Sequence, residues 1–503
     1  MRKAGWDAAF SLPPARAGEP ASLVARIAQA VVSEVRRGRL RPGDPLPGSR
    51  TLAAQLGVHR NTVLAAYAEL GAEGWVVSTP ARATVVSPAL PEPRPRGVAR
   101  EATPAEVGFT LPPRVQSFAP PGARTPVAGL LSLAGASPDT RLWPAALLAR
   151  AYRRALRHAA ELLRYRDPAG HPRLRAALAA MLSATHGLAA QADHVLVTRG
   201  SQMGLWLALR ALLTPGQRVA VESPGYPPLW HTLQTLGAEV VPIPVDAGGL
   251  RIDALLAAGP LRAVVLTPHH QYPTTVTLSA PRRLALLEHA RRARLAIIED
   301  DYDHEFHHDG RPVLPLASAD QGGVVIYVGT LSKVLAPGLR VGYVVAPPAL
   351  IERLGALRSL VDVQGDHVME AALAELLEDD VVQRHVRRAR RLYRARRDFM
   401  VAALAQALPE LEVPVPSGGL ALWTRAPGLD SEAWLEGARA RGVAFQAGPH
   451  FGHDRAGTRA ALALRERARL GFAALDEREL VEAVRRLAAA WPRGGGRRAT
   501  LRA

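Results

Sequence analysis

The chain has no cysteine, only two lysines, one asparagine and no apolar run long enough to cross a bilayer. Without cysteine there are no disulfides, no thiolate metal sites and no cysteine nucleophile; the composition fits a reducing compartment. The N-terminus lacks the apolar core of a signal peptide, and no stretch of eighteen apolar residues suggests a membrane span, so a cytoplasmic protein without membrane contact is expected. The scarcity of lysine is the most informative absence. Of 63 lysines and arginines only Lys3 and Lys333 are lysines. Arginine carries charge at least as well but cannot lose its proton in a protein to become a nucleophile. A lysine kept at Gly329-Thr330-Leu331-Ser332-Lys333 therefore points to amine chemistry, most often Schiff-base formation; the bland alternative is a leftover surface charge.

What surrounds Lys333 favours the chemical reading. Leu295-Ala296-Ile297-Ile298 reads as a buried strand ending in Glu299-Asp300-Asp301-Tyr302. An acid at a strand's C-terminal end suits a partner for a protonated ring nitrogen. Residues 324–329 read as the next strand and deliver Ser332 and Lys333 at its exit, with Arg340 seven residues on, placed to pair with a phosphate. Val195-Leu196-Val197-Thr198-Arg199-Gly200-Ser201-Gln202 runs from a strand through a glycine turn into an apolar helix. The backbone N–H groups there and the Ser201 hydroxyl would meet a phosphate at the helix N-terminus.

The stretch from about Leu131 onward resembles a fold-type I aminotransferase. Its Glu299-Asp300-Asp301-Tyr302-Asp303-His304-Glu305-Phe306 and Tyr327-to-Arg340 segments closely resemble the MocR branch of the GntR transcriptional regulators. That resemblance implies pyridoxal 5′-phosphate as cofactor, with Lys333 as its covalent lysine, Asp300 as the pyridinium partner and Tyr302 beside the ring hydroxyl. It further implies Gly200, Ser201, Gln202, Ser332 and Arg340 at the phosphate, Tyr226 stacked on the ring, and Arg469 on a substrate or effector carboxylate. Tyr165 matches the tyrosine that reaches a neighbouring subunit's phosphate. Two departures stand out. Aminotransferases place an asparagine against the ring hydroxyl, but here the loop reads His269-His270-Gln271-Tyr272-Pro273-Thr274-Thr275, with Tyr272 at that position and Thr275 where glycine is expected. Arg166 replaces the usual glycine after Tyr165.

The N-terminal part carries a second pattern. From Ser22 to Leu40 apolar residues recur with helical spacing at Leu23, Ile27, Ala30, Val31 and Val35. Ser49 reads as the cap of a short helix over residues 50–56 closed by Gly57, and a further helix runs from about Arg60 to Leu70. Residues 75–79 and 83–86 alternate like a β-hairpin. Together these predict a winged helix-turn-helix, and Leu46-Pro47-Gly48-Ser49-Arg50 and Leu56-to-Val63 resemble the GntR signature. Such a fold sets the start of its recognition helix in the major groove of double-stranded DNA. His59, Arg60, Asn61 and Thr62 are the candidate base readers. Arg50 and Thr51 are candidate DNA contacts at the preceding helix start, Arg50 on the phosphate backbone, and Arg82 would reach the minor groove from the hairpin tip. Residues 1–87 hold eleven basic and six acidic side chains, so most of the +18 net charge lies elsewhere.

The expected organisation is multidomain: a winged helix-turn-helix over residues 1–87, a proline- and arginine-rich linker over 88–128, and an α/β aminotransferase-like module over 129–503 with a parallel sheet and a small C-terminal lobe from about 385. The histidines at 304, 307 and 308 read as a solvated loop, and no metal is expected. The resemblance implies a homodimer paired head-to-tail. Three readings stay open: a regulator sensing a small amine, an amino acid or pyridoxal phosphate itself; a working aminotransferase with an accessory DNA-binding head; and a degenerate dimerisation scaffold, against which the intact Lys333, Asp300 and Arg340 speak.

Overall fold

The structure, a computed structural model, describes residues 22–78, 83–91, 108–111, 129–310, 313–453 and 457–492. Arg82 and most of the 88–128 stretch, all but residues 88–91 and 108–111, lie outside the described residues. The chain divides into two compact units, residues 1–112 and 113–503.

In the first unit, α1 (Leu23–Arg36) starts at Ser22, whose hydroxyl accepts from the Ala25 N–H at 3.2 Å. Its buried stripe is Ile27, Ala28, Val31, Val32 and Val35. Burying each large apolar side chain contributes about 1.5–3 kcal/mol. The helix stops four residues short of Leu40, because Gly38 turns the chain at φ +72°, yet Leu40 still enters the core. α2 (Ser49–Leu56) ends at Gly57 in the left-handed conformation, as the sequence predicts. Ser49 is not its cap. Gly48 holds that place and Ser49 is the first helical residue, because buried Leu46 and the hydrogen bond from the Tyr67 hydroxyl to the Pro47 carbonyl (2.9 Å) fix the turn one residue earlier. α3 (Arg60–Ala72) is capped by His59, and β1 (Val76–Val77) pairs antiparallel with β2 (Val85–Val86). Helix, helix, turn, helix and hairpin share one core.

The second unit is built on a sheet whose strands are β4 (Val195–Thr198), β5 (Arg218–Ser223), β6 (Glu239–Asp246), β7 (Gly249–Leu250), β8 (Ala263–Leu266), β9 (Ala296–Asp301), β10 (Val325–Thr330) and β11 (Gly342–Val345); β3 (Leu131–Ser132) precedes them in the chain. The order across the sheet is β4-β11-β10-β9-β8-β5-β6-β7. β10, β9, β8, β5 and β6 run parallel, but β11 lies antiparallel to both β10 and β4, which corrects the expectation of a parallel sheet throughout. Residues 331–341 joining β10 to β11 contain only one short 3₁₀ turn, whereas a parallel return needs a crossover of a dozen or more residues. The central strands are buried on both faces, and β9 is apolar only until it reaches Glu299, Asp300 and Asp301 at its C-terminal end.

After the long helix Val381–Ala407, β12 (Ala421–Arg425), β14 (Gln446–Ala447) and β15 (Arg467–Gly471) form an antiparallel sheet in the order β12-β15-β14. β13 (Val443–Ala444) pairs with β3, so the first described strand of the unit joins its last lobe. Among the described residues no helix is long and apolar enough to cross a membrane.

Candidate cofactor pocket and nucleic-acid face

At the C-terminal ends of the parallel strands lies a cavity of about 610 Å³. Its wall includes Ser201, Gln202, Tyr226, Tyr272, Asp300, Tyr302, Ser332, Lys333 and Arg340, nine of the residues singled out from the sequence. The switch from strand to loop is what aims them. Along β9 successive side chains alternate in direction, and its three acids have three different fates. Glu299 accepts from the Leu316 and Ala317 N–H groups at 2.7 and 2.9 Å. Asp301 accepts from the Tyr327 hydroxyl at 3.0 Å. Asp300 points the other way, into the cavity, and its buried Oδ1 has no hydrogen-bond partner. Burial, with Asp301, Asp303 and Glu222 nearby, pushes its carboxyl up to about 7. A buried carboxylate with an unused oxygen is what a cationic ring nitrogen would satisfy.

Lys333 follows β10. Burial lowers its amine to about 8, with the Arg469 and Arg340 charges acting in the same sense and Asp303 and Asp300 opposing. An appreciable fraction is then neutral near physiological pH, as nucleophilic attack requires.

The anion end of the cavity is equally specific. Gly200 caps the helix Ser201–Leu212 at φ +74° without any side-chain cap, which leaves the first-turn N–H groups open. A Cβ at Gly200 would lie 2.8 Å from the Arg340 guanidinium, so glycine is what lets that arginine approach the helix start. Arg340 donates through Nη2 to the Arg199 carbonyl at 3.0 Å. The Ser332 Oγ is buried and has no partner. Helix N-terminus, hydroxyls and guanidinium are the donor set of a phosphate. Gln202 spends its amide nitrogen on the Thr232 hydroxyl (3.0 Å), so it orders the wall more than it offers a donor.

Three tyrosines form the remaining face. Tyr272 meets Tyr226 edge-on at 5.3 Å and Tyr302 at 5.9 Å between ring centres. Burial raises the phenols of Tyr226 and Tyr302 far above their usual range, so both stay protonated donors. Arg469, on β15, is buried with its guanidinium over the face of the Tyr272 ring, near enough for its charge to act on Lys333. Thr275 adopts φ +64°, the left-handed conformation for which glycine is suited, so the loop keeps the glycine-like path at a strain of about 1–3 kcal/mol. Tyr165 lies away from the cavity and is 86% exposed.

Several site residues gave no sequence signal. Residues 134–137 and Gln446 close one side of the cavity, joined by the Gly135 N–H donating to Gln446 Oε1 at 3.0 Å. Glu222 is buried beneath it, accepting from the Thr267 N–H and hydroxyl at 3.0 and 2.7 Å, and burial raises it to about 7. The reading of His304, His307 and His308 as a solvated loop is overturned: His304 is buried against His186 and His269, His307 is half-buried against His270, and His308 is buried against Phe472. They are held there because the turn Ser417-Gly418-Gly419 folds over them, the His308 N–H donating to the Ser417 carbonyl (2.7 Å) and the Gly419 N–H to the Phe306 carbonyl (2.8 Å).

On the first unit, Arg50, Thr51, His59, Arg60 and Asn61 are exposed at the adjoining starts of α2 and α3, and Thr62 is half-buried. The Arg60 Nε donates to the Ser49 hydroxyl at 3.2 Å, which ties the two helix starts together. His59 Nδ1 accepts from the Asn61 N–H at 3.2 Å. Exposed donors gathered at two helix N-termini make a surface suited to phosphates and base edges.

The second unit thus has the fold of a type I aminotransferase, with a pocket whose orphaned acid, buried lysine of lowered basicity and anion cradle fit pyridoxal phosphate. Residues 134–487 match the family of class I and II aminotransferases, and residues 23–86 match the gntR family of bacterial regulatory proteins. The chain is 36% identical to the HTH-type transcriptional regulator TauR of Rhodobacter capsulatus, over 88% of this chain and 91% of that protein. It is 35% identical to the HTH-type pyridoxine biosynthesis transcriptional regulator PdxR of Corynebacterium glutamicum, over 80% and 83%. With the probable rhizopine catabolism regulatory protein MocR of Rhizobium meliloti it shares 32% over 91% and 92%. Among solved structures, the α-aminoadipate aminotransferase LysN of Thermus thermophilus superposes with a TM-score of 0.66 at 30% identity, over 72% of this chain and 92% of that one. The chain belongs to the MocR-, PdxR- and TauR-type transcriptional regulators, in which a GntR head is fused to a class I and II aminotransferase module.

Proposed function

We propose that the protein is a pyridoxal-phosphate-dependent, DNA-binding transcriptional regulator whose aminotransferase-like module senses a small amine, an amino acid or the cofactor itself. The observation that carries this reading is the pairing, in one chain, of an exposed donor cluster at two helix starts with a pocket that keeps its lysine and its acid but puts Tyr272 where transaminases use asparagine. Pyridoxal phosphate supplies an aldehyde that condenses with amines and a ring that withdraws electrons. Lys333 offers the amine that holds it, Asp300 the negative charge that keeps the ring nitrogen protonated, and Tyr226 a stacking face. Ser201, Ser332, Arg340 and the backbone at Gly200 bind the phosphate. Tyr302 and Tyr272 offer phenols near the ring hydroxyl, and Arg469 takes a carboxylate.

Arg60 and Asn61 are assigned to base edges and Arg50 and Thr51 to the backbone of a duplex operator. A homodimer paired head-to-tail in the cytoplasm completes the reading, and the exposure of Tyr165 supports its role against a second subunit's phosphate. A second reading, a working transaminase, is favoured by the intact Lys333 and Asp300 and by 31% identity to aromatic-amino-acid aminotransferase 1 of Thermococcus litoralis over 71% of this chain. Operator affinity measured with and without pyridoxal phosphate and candidate amines, alongside steady-state transamination, separates the two. Ligand-dependent DNA binding with little turnover is expected; robust turnover with operator affinity indifferent to every ligand would establish the enzyme instead.

A further inference from the structure

Behind the Tyr272–Tyr302 pair lies a group of histidines that the cofactor pocket does not use. His269 and His270 precede Tyr272 in the loop after β8, and His307 comes five residues after Tyr302 in the segment after β9. None of the three lines the cofactor cavity. One ring nitrogen from each lies within 4.8 Å of the others.

The hydrogen bonding of these rings is that of metal ligands. His269 is 2% exposed and neither of its ring nitrogens has a hydrogen-bond partner; the same holds for both nitrogens of His307. A buried imidazole nitrogen left idle costs about 1–3 kcal/mol for each unsatisfied group, so four idle nitrogens on two neighbouring rings need an explanation. His270 supplies it. At 1% exposure its Nδ1 is 2.8 Å from Asp303 Oδ1, while Nε2 is without a partner. Donation from Nδ1 to a carboxylate leaves the Nε2 lone pair free and fixes the ring, which is the second layer that metal-binding histidines characteristically have. Gly418 keeps the approach to that nitrogen clear: a Cβ there would lie 2.1 Å from it.

The neighbouring trio His186, Asp301 and His304 does not make the same case. The Asp301 oxygen that accepts from Tyr327 also stands 3.1 Å from His304 Nδ1, so the carboxylate charge of this trio is already paired within the protein.

We propose that His269, His270 and His307 bind a divalent first-row transition-metal ion of the zinc type. Imidazole nitrogens select such ions over magnesium or calcium, which take oxygen ligands. Tetrahedral zinc at its usual 2.0–2.1 Å from nitrogen sets ligands about 3.4 Å apart, so small side-chain rotations close the site. Three protein ligands leave the fourth position to water. The ion clips the loop that presents Tyr272 to the segment that presents Tyr302, and so acts as a structural brace on one wall of the cofactor pocket.

The test uses the full-length chain stripped with chelator, without added pyridoxal phosphate, and titrated with Zn²⁺ in the presence of excess Mg²⁺. One zinc per chain that survives desalting and raises the thermal midpoint is expected. His269→Ala and His307→Ala should each lower zinc affinity at least about tenfold, and Asp303→Asn about ten- to a hundredfold through its hold on His270. His158→Ala, an exposed histidine, should change nothing. Should a histidine variant fail to fold, Co²⁺ added to the unmutated chain decides: intense visible bands of a four-coordinate ion support the site, and the weak spectrum of a hydrated ion overturns it. Absence of zinc after desalting, or equal zinc affinity in the folded His269 and His307 variants, overturns it as well.

Discussion

The guanidinium carbon of Arg469 stands 4.4 Å from the centre of the Tyr272 ring. The arginine is 1% exposed, and its Nε and Nη1 have no hydrogen-bond partner. A cation pressed against an aromatic face is oriented without spending its donors, so Tyr272 holds the Arg469 guanidinium while leaving its Nε and Nη1 free for a ligand.

Arg469→Ala should therefore weaken an amino-acid effector by about ten- to a hundredfold, the loss of a charge-assisted pair of about 1.5–3 kcal/mol. An amine lacking the carboxylate should bind almost as before. Spectral titration of the cofactor-loaded protein with an amino acid and its decarboxylated counterpart measures the difference. Equal losses for both would remove Arg469 from the carboxylate role.

Cofactor capture by the apoprotein should rise with pH and be half-maximal near 8, because only neutral Lys333 attacks and burial lowers its amine to that value. Lys333→Ala should abolish the label fixed by borohydride, and Lys333→Arg should not restore it. Arg469→Ala should move the midpoint upward, since that charge helps to lower the amine. A profile centred above 10 would mean that the lysine is solvated.

Asp300→Asn should stabilise the cofactor-free protein at pH 8 and leave it unchanged at pH 4. The carboxyl titrates near 7 in the fold against an ordinary value of 3.8, so the protonated form is the one the fold tolerates. Its favourable contribution is complete below about 4 and is lost as pH rises through 7. A gain on the order of 2 kcal/mol at pH 8 is expected from urea unfolding, together with much weaker retention of pyridoxal phosphate. A variant less stable than the parent at pH 8 would contradict the orphaned-acid assignment.

Arg60→Ala should cost about 1–3 kcal/mol on the operator and relax preference at one base pair if its contact is bidentate. Arg50→Ala should weaken all duplexes alike and reduce the salt slope by about one phosphate contact. Fluorescence anisotropy on specific and random duplexes across a salt series distinguishes them; matched losses for Arg60 on both would exchange the two roles.

The cofactor pocket was legible because its chemistry demands particular residue types at strand ends: an acid after Ile298, a lysine after Thr330, glycine then serine after Thr198. The wall formed by residues 134–137 and Gln446 was not, because it arises where distant segments meet around β3 and β13, and neither carries a residue type that chemistry requires. Spacing misled at the histidines. His304, His307 and His308 follow no helical or strand period, which on the page resembles a loop in water, and only the turn over residues 417–419 reveals that they are covered. Thr275 could be seen as a departure from glycine, but its left-handed backbone could not be read from the sequence; hydrogen bonds from its N–H to the Gln271 carbonyl (2.6 Å) and from Gln271 N–H to the Val276 carbonyl (2.9 Å) impose it.

The antiparallel β11 has a consequence for synthesis of the chain. β4, which launches the anion-binding helix, touches the sheet only through β11, which a ribosome makes almost 150 residues later. Gly342 faces Thr198 on one side and Thr330 on the other. Until that glycine has been made, no strand joins the Ser201 side of the phosphate cradle to the Ser332 side. The order in which the sheet can be completed is thus the reverse of the order in which the cradle's first half is made.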